Sequence, residues 1–105
     1  MVEVRPAPAA ALALGPNSPN PFSGRTSLAF GVPDGNAPVR VRIAVYDVSG
    51  RLERVLLDGD VAAGARQTVV WDGRTAGGAP AGPGVHFCRL TAGGKALTRK
   101  MLLMR

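Results

Sequence analysis

Residues 39–57 read Val-Arg-Val-Arg-Ile-Ala-Val-Tyr-Asp-Val-Ser-Gly-Arg-Leu-Glu-Arg-Val-Leu-Leu, and this stretch decides the fold. Its first part alternates: Val41, Ile43 and Val45 share one parity, while Arg40 and Arg42 take the other. A period of two is typical of a β-strand with one buried face. The stretch therefore predicts a strand whose valine face needs a second sheet to cover it.

The predicted strand runs into a turn at residues 47–50, Asp-Val-Ser-Gly. Aspartate is favoured at the first position of a type I turn, because its carboxylate accepts the free amides that follow. Glycine at the fourth position takes the positive φ that closes such a hairpin with a bulge. We therefore expect Asp47 and Gly50 to be structural residues. A second strand should follow over residues 52–57 and end at Asp58-Gly59-Asp60.

Glycine and proline divide the rest of the chain into short apolar pieces. The 105 residues include 14 glycines and 9 prolines, and no useful length of sequence has a helical period. Short alternating segments between frequent turns predict an all-β fold, an immunoglobulin-like antiparallel β-sandwich of about seven strands. This domain is predicted to cover residues 12–105, after a linker or disordered tail over residues 1–11. Besides the hairpin, the predicted strands cover residues 11–14, 25–32, 66–72, 85–91 and 95–104.

The predicted core is poor in aromatic residues, which make up 5% of the chain. Valine, leucine and alanine must therefore fill most of it, and its large structural members are expected to be Trp71 and the three phenylalanines, Phe22, Phe30 and Phe87. Residues 101–104 are continuously apolar. We expect this stretch of the last strand to be covered on both sides.

The chain is strongly basic, with a formal net charge of +6. Its cations are spread along the sequence and mostly follow the outward parity of the predicted strands. A nucleic-acid surface would need a basic patch with stacking aromatic rings, so no nucleic-acid partner is predicted. No apolar run approaches the length of a membrane span, and we expect no stable membrane insertion. Residues 1–15 do not resemble a signal peptide.

Few residues are candidates for chemistry. His86 and Cys88 share a strand face, but at this spacing a good Cys–His hydrogen bond is not expected, and no other histidine or cysteine could complete a zinc shell. Asp58, Asp60 and Asp72 lack the pattern of a calcium loop and are interpreted as turn residues, with Asp72 capping the amides after it. We therefore predict no catalytic residue, no metal and no cofactor. A single cysteine also excludes an internal disulfide.

Several short motifs recur together in one known group of domains. Their order and spacing resemble the FlgD-like immunoglobulin-like domains and the related type A C-terminal sorting domains of type IX secretion. The resemblance covers residues 12–105, although the family often has tyrosine where His86 and Cys88 stand, and it often has a second acidic residue near Thr75. The motifs are Ser-Pro-Asn-Pro-Phe at 18–22, Val-Tyr-Asp-Val-Ser-Gly-Arg at 45–51, Ala-Gly at 63–64, Trp-Asp-Gly at 71–73, Gly-Val-His-Phe-Cys-Arg-Leu at 84–90 and Arg-Lys-Met-Leu-Leu at 99–103.

The resemblance implies a non-catalytic C-terminal module of a secreted bacterial protein, located outside the cytoplasm or at the cell surface. In the sorting version an outer-membrane translocon reads the last two strands, so Arg99, Lys100 and Arg105 are candidate recognition residues. The alternative is a FlgD-like structural scaffold or spacer that mediates assembly. The expected partner is a protein in both cases, either the translocon or neighbouring domains of the parent chain, and the domain is expected to be monomeric.

Overall fold

The computed structural model describes residues 11–104, and these form two antiparallel sheets without any helix. The three-stranded sheet has the order β1-β2-β5, and the four-stranded sheet has the order β4-β3-β6-β7. This is the predicted immunoglobulin-like sandwich. The fourth strand belongs to the four-stranded sheet, where it pairs with the third strand. The strands are β1 Ala13–Leu14, β2 Thr26–Gly31, β3 Val39–Asp47, β4 Leu52–Val61, β5 Arg66–Trp71, β6 Gly84–Ala92 and β7 Lys95–Leu103.

Between β1 and β2, which are neighbours in the three-stranded sheet, the chain reaches across to the other sheet and returns. The Gly15 amide still donates to the Ala29 carbonyl of the three-stranded sheet, at 2.8 Å. Phe22 then lies beside the end of β7, where its amide donates to the Leu102 carbonyl at 3.0 Å and its carbonyl accepts from the Met104 amide at 2.7 Å. The Phe22 side chain is buried and meets the Trp71 ring edge-on, with 5.7 Å between the ring centroids. The crossing segment therefore anchors the core and covers part of the β7 edge.

The valine face of β3 is buried, as the alternation predicts. Val41, Ile43 and Val45 have no exposed surface, and neither has Trp71 on the facing sheet. Alternate residues of the other strands complete the layer between the sheets, because successive side chains of a strand point to opposite faces. Further core members are Leu28, Phe30, Val32, Cys88, Leu90, Met101 and Leu103.

The turn after β3 has the predicted geometry. The Asp47 carboxylate accepts from the amides of Ser49 and Arg51, both at 2.9 Å, and from the Ser49 hydroxyl at 2.7 Å. The Gly50 amide donates to the Asp47 carbonyl at 3.0 Å, and Gly50 has a φ of 87°. The Ser49 hydroxyl, together with the Arg51 amide, holds the pKa of the Asp47 carboxyl below its ordinary value. Asp47 and Gly50 therefore close the hairpin as a type I turn with a bulge.

The end predicted for the second hairpin strand is wrong. Residues 58–60 lie inside β4, which continues to Val61. Asp58 and Asp60 stand opposite Arg42 and Arg40 on the outer face of the sheet, and the Arg40 guanidinium lies 2.7 Å from the Asp58 carboxylate. Opposite charges in register stabilise the pairing, so acids that resemble turn residues in the sequence extend the strand instead.

Two expectations about burial are also wrong. Phe87 is not a core residue, because His86, Cys88 and Leu90 face the other sheet and turn the Phe87 side chain to the outer face, where it is partly exposed. Residues 101–104 are not covered on both sides, since Leu102 and Met104 are 39% and 51% exposed. The reason is the same for both: no layer covers the outer face of the four-stranded sheet within residues 11–104.

Candidate functional site

Two of the predicted recognition residues, Arg99 and Lys100, lie on opposite parities of β7. Lys100 stands opposite Phe87 and projects from the outer face of the four-stranded sheet. Arg99 stands opposite Cys88, on the other parity, and its Nε donates to the Leu14 carbonyl at 2.7 Å. Arg99 therefore spans the side of the sandwich between β7 and β1. The third candidate, Arg105, and most of the predicted tail over residues 1–11 lie outside the described residues.

Lys100 belongs to a row of side chains that crosses all four strands of the outer face. Leu52, Tyr46, Phe87 and Lys100 stand in register on β4, β3, β6 and β7. Apolar neighbours flank this row, because Val85 pairs with Leu102 on one side and Ala44 pairs with Val55 on the other. Leu52, Val55 and Leu102 are among the exposed large hydrophobic residues of the domain. We call the set Tyr46, Leu52, Val55, Val85, Phe87 and Leu102 the outer patch.

Cations border the outer patch. Arg42 Nη1 donates to the Tyr46 hydroxyl at 2.9 Å, so the guanidinium lies along β3 towards the patch. Arg89 is exposed beside it, with Ala44 and Thr98 in register on the neighbouring strands. Within residues 11–104, no carboxylate is within ion-pairing distance of Arg42, Arg89 or Lys100. The outer patch therefore combines exposed apolar side chains with cations that lack an acidic partner in the described part of the domain.

A second polar cluster is buried under the loop between β5 and β6. His86 Nδ1 contacts the Glu53 carboxylate, and His86 Nε2 lies 2.7 Å from the Gly82 carbonyl oxygen. A carbonyl oxygen only accepts, so Nε2 must donate, and one further proton joins Nδ1 to Glu53. The Trp71 ring meets the imidazole edge-on, with 5.1 Å between the ring centroids. Both polar side chains are nearly inaccessible to solvent, at 5% exposure for His86 and 10% for Glu53.

The fold brings Glu53 to His86 through an irregularity in the hairpin. The register between β3 and β4 shifts between Val45 and Tyr46, so Arg54 and Leu52 have partners on β3 while Glu53 falls at the bulge. A bulge redirects a side chain that regular alternation would place elsewhere. This contact could not be found from sequence periodicity, because the two residues are 33 positions apart and the bulge has no local signal at Glu53.

The loop over this cluster, between β5 and β6, is held by hydrogen bonds. Trp71 Nε1 donates to the Arg74 carbonyl at 2.9 Å, and the Ala76 amide donates to the Glu53 carbonyl at 2.8 Å. Asp72 caps the loop as predicted, since its carboxylate accepts from the Arg74 amide at 3.0 Å. The loop therefore covers the pair of His86 and Glu53 and keeps both side chains away from solvent.

The other residues considered for chemistry remain apart. Burial raises the pKa of the Cys88 thiol to about 12, which leaves it protonated and unreactive at neutral pH. Asp58 pairs with Arg40, and Asp72 lies 3.3 Å from Arg54. Within residues 11–104, no three histidine, cysteine, aspartate or glutamate side chains stand close enough to hold a metal ion. The same residues include no helix that could span a membrane.

Known proteins share the fold of this chain, but none of the sequence families matches it. No protein-family model and no curated protein matches the chain. A solved structure of dimeric latent PorU from Porphyromonas gingivalis superposes with a TM-score of 0.65 and 21% identity, covering 89% of this chain and 9% of that one. PorZ of the same bacterium, an essential surface component of its type IX secretion system, gives a TM-score of 0.54 and 19% identity over 90% of this chain and 11% of its own.

A third structure comes from a different functional class. It is the alkylpurine DNA glycosylase AlkC of Pseudomonas fluorescens, bound to DNA with an abasic site analogue, with a TM-score of 0.60 and 18% identity. The similarity covers 91% of this chain and 31% of AlkC. Identities of this size establish the fold alone. The chain spans from about a tenth to a third of these proteins, so in each of them the shared fold accounts for a minor part of the chain.

Proposed function

We propose that this domain is a non-catalytic module of a secreted bacterial protein and acts as a type IX sorting or surface-anchoring signal. The main support is the likeness to part of PorZ, which belongs to a type IX secretion system, and to part of PorU from the same bacterium. The short motifs that resemble type A sorting domains point the same way. A location outside the cytoplasm and a protein partner follow from this proposal.

A non-catalytic role agrees with the chemistry of the described residues. The one buried acid–base pair, Glu53 with His86, is covered by the loop after β5, and Cys88 lies in the core. Catalysis needs a nucleophile or base that reaches a substrate in a cleft. The exposed features of the domain are instead the outer patch and its bordering cations, which suit contact with another macromolecule.

Export of a fusion protein tests the proposal. A periplasmic reporter is fused to residues 1–105 and expressed in a type IX-competent bacterium matched to the source, and surface-exposed reporter is measured by protease accessibility. We expect the fusion to reach the surface and the reporter alone to remain in the periplasm. A fusion that stays in the periplasm while the domain is folded would contradict the sorting role.

Charge variants locate the recognition site. Lys100→Glu with Arg105→Glu should retain the fusion in the periplasm if a translocon reads this end of the chain. Arg25→Glu with Lys95→Glu makes the same change in net charge at two exposed positions away from the patch, and it should be exported normally. Equal surface display of both variants would exclude Lys100 and Arg105 as the recognition residues.

The second candidate is a structural spacer or scaffold of the FlgD type. The observation that favours it is AlkC, a DNA glycosylase of which a minor part has the same fold. The fold therefore also occurs in a protein of another functional class. A folded fusion that is not exported would support this alternative.

A further inference from the structure

The outer patch lies on the face of the four-stranded sheet that no other layer of the described residues covers. An antiparallel sheet with one solvated face normally alternates apolar residues inside with polar residues outside. Rows of the outer face near Arg40 follow this rule, with Asp58 and Asp60 opposite the arginines. The row that contains Leu52, Tyr46 and Phe87 does not follow this alternation, and neither does the adjacent pair of Val85 and Leu102. Their apolar side chains are neighbours on adjacent strands, and a contiguous exposed apolar patch on a soluble domain marks an interaction site.

The charges beside the patch restrict the kind of partner. Arg89 and Lys100 border it without a carboxylate within ion-pairing distance among residues 11–104, whereas Arg42 stands opposite Asp58. The acids on the outer face, Asp58 and Asp60, stand opposite Arg42 and Arg40, in the part of β4 away from Leu52. A partner with apolar side chains between carboxylates would cover the patch and neutralise its border, since arginine and lysine at the rim pair with carboxylates and guide association.

We propose that the outer patch is a docking surface for an acidic, apolar segment of another protein. The apolar contacts come from Leu52, Phe87 and Leu102, and the ion pairs come from Arg89 and Lys100. This inference goes beyond the sorting role, because it specifies the chemistry of the partner and the face that it covers. It holds for a partner in a secretion apparatus and for a neighbouring domain of the parent chain.

The side chains favour a protein over a nucleic acid at this surface. Single-stranded nucleic acids bind to aromatic rings whose faces are open for stacking. Tyr46 and Phe87 are only partly exposed, and the Tyr46 hydroxyl already accepts a hydrogen bond from Arg42. The more exposed members are the aliphatic residues Leu52, Val55 and Leu102. Aliphatic side chains contribute to protein interfaces and offer no stacking platform for bases.

Nuclear magnetic resonance with defined probes tests the proposal. The ¹⁵N-labelled domain is titrated with a capped peptide of alternating glutamate and leucine, about 12 residues long, which is enough to cross a four-stranded sheet. Matched peptides of alternating lysine and leucine, and of alternating glutamate and serine, separate the charge requirement from the apolar one. We expect the glutamate–leucine peptide alone to shift the amides of residues 44–46, 85–89 and 98–102.

Variants of the patch provide the second measurement. Arg89→Glu with Lys100→Glu should weaken binding of the glutamate–leucine peptide by about tenfold or more, because two attractions become repulsions. Arg25→Glu with Lys95→Glu carries the same net charge and should bind like the unmodified domain. Leu102→Ser removes apolar contact at a partly exposed position and should weaken binding while the spectrum remains that of a folded domain.

Each contrary result overturns the proposal in a defined way. Equal binding of the lysine–leucine peptide would show that the cations have no part in recognition. A thymidine oligonucleotide that shifts the same amides more strongly would replace the protein partner with a nucleic acid. Shifts that depend on domain concentration without peptide would identify a second copy as the occupant. Because this assay needs no export, its outcome is separate from that of the fusion experiment.

Discussion

The buried contact between Glu53 and His86 makes the sharpest prediction for stability. Glu53→Leu and His86→Phe each remove one partner, and the double variant removes both. Phenylalanine keeps a ring against Trp71, and leucine keeps much of the glutamate volume, so neither change opens a large cavity. A double-mutant cycle of these three variants isolates the interaction between the two side chains.

The structure sets the size of each effect. His86→Phe leaves the Glu53 carboxylate buried without its partner, which costs about 3–5 kcal/mol for a broken buried pair. The Glu53 side chain is 10% exposed and can turn partly to water, so we expect the lower end of this range. Glu53→Leu leaves His86 Nδ1 without a partner, at a cost of about 1–3 kcal/mol. The double variant leaves only the Gly82 carbonyl unpaired and should lose about 1 kcal/mol.

Urea unfolding measures these differences through the fluorescence of Trp71, which is the single tryptophan of the chain. With a slope of about 1–3 kcal/mol per molar urea, the expected losses shift the midpoint by an easily measured amount. We expect a coupling energy of about 3–5 kcal/mol between the two positions, with the double variant more stable than His86→Phe alone. Losses that add to within about 0.5 kcal/mol would refute the interaction described here.

Three further predictions test the hairpin. Ile43→Asp should cost about 3–5 kcal/mol in urea unfolding by burying an unpaired charge, whereas Arg42→Asp on the outer face should cost about 1 kcal/mol; equal losses would contradict the strand register. Gly50→Val should lower stability by more than about 1 kcal/mol because a β-branched residue resists positive φ, and unchanged stability would contradict the turn geometry. The fold lowers the pKa of Asp47 below 3.8, so Asp47→Ala should lower the urea midpoint at pH 7. The difference between the two proteins should shrink as the pH falls through the lowered pKa. A difference that does not depend on pH would exclude ionised Asp47 as its cause.

The hairpin could be predicted from sequence because its signals are local. The alternation of Val41, Ile43 and Val45 fixes the buried face, and Asp47 with Gly50 fixes the turn within four residues. The length of β4 could not be predicted in the same way. Asp58 and Asp60 resemble turn residues on their own, and only pairing with the arginines of β3 makes them strand residues.

The sequence also contains the information that decides which face of β6 is buried. Both parities of this strand are apolar, since Val85 and Phe87 alternate with Cys88 and Leu90. Arg89 shares the parity of Phe87, and an arginine without a partner is not buried in a core. That one cation turns Phe87 outwards and His86 inwards. The contact of His86 with Glu53 then depends on a bulge between distant strands, which periodicity cannot show.

The outer patch gives this domain an individual surface on a common fold. Parts of PorU, PorZ and AlkC have the same sandwich, so the residues that build its core cannot decide what the domain binds. The decisive residues are those that the sandwich does not require. Polar side chains at positions 52, 87 and 102 would satisfy a solvated outer face equally well. Their apolar character therefore favours the proposed contact outside the domain, and the cations beside them give that contact its expected charge.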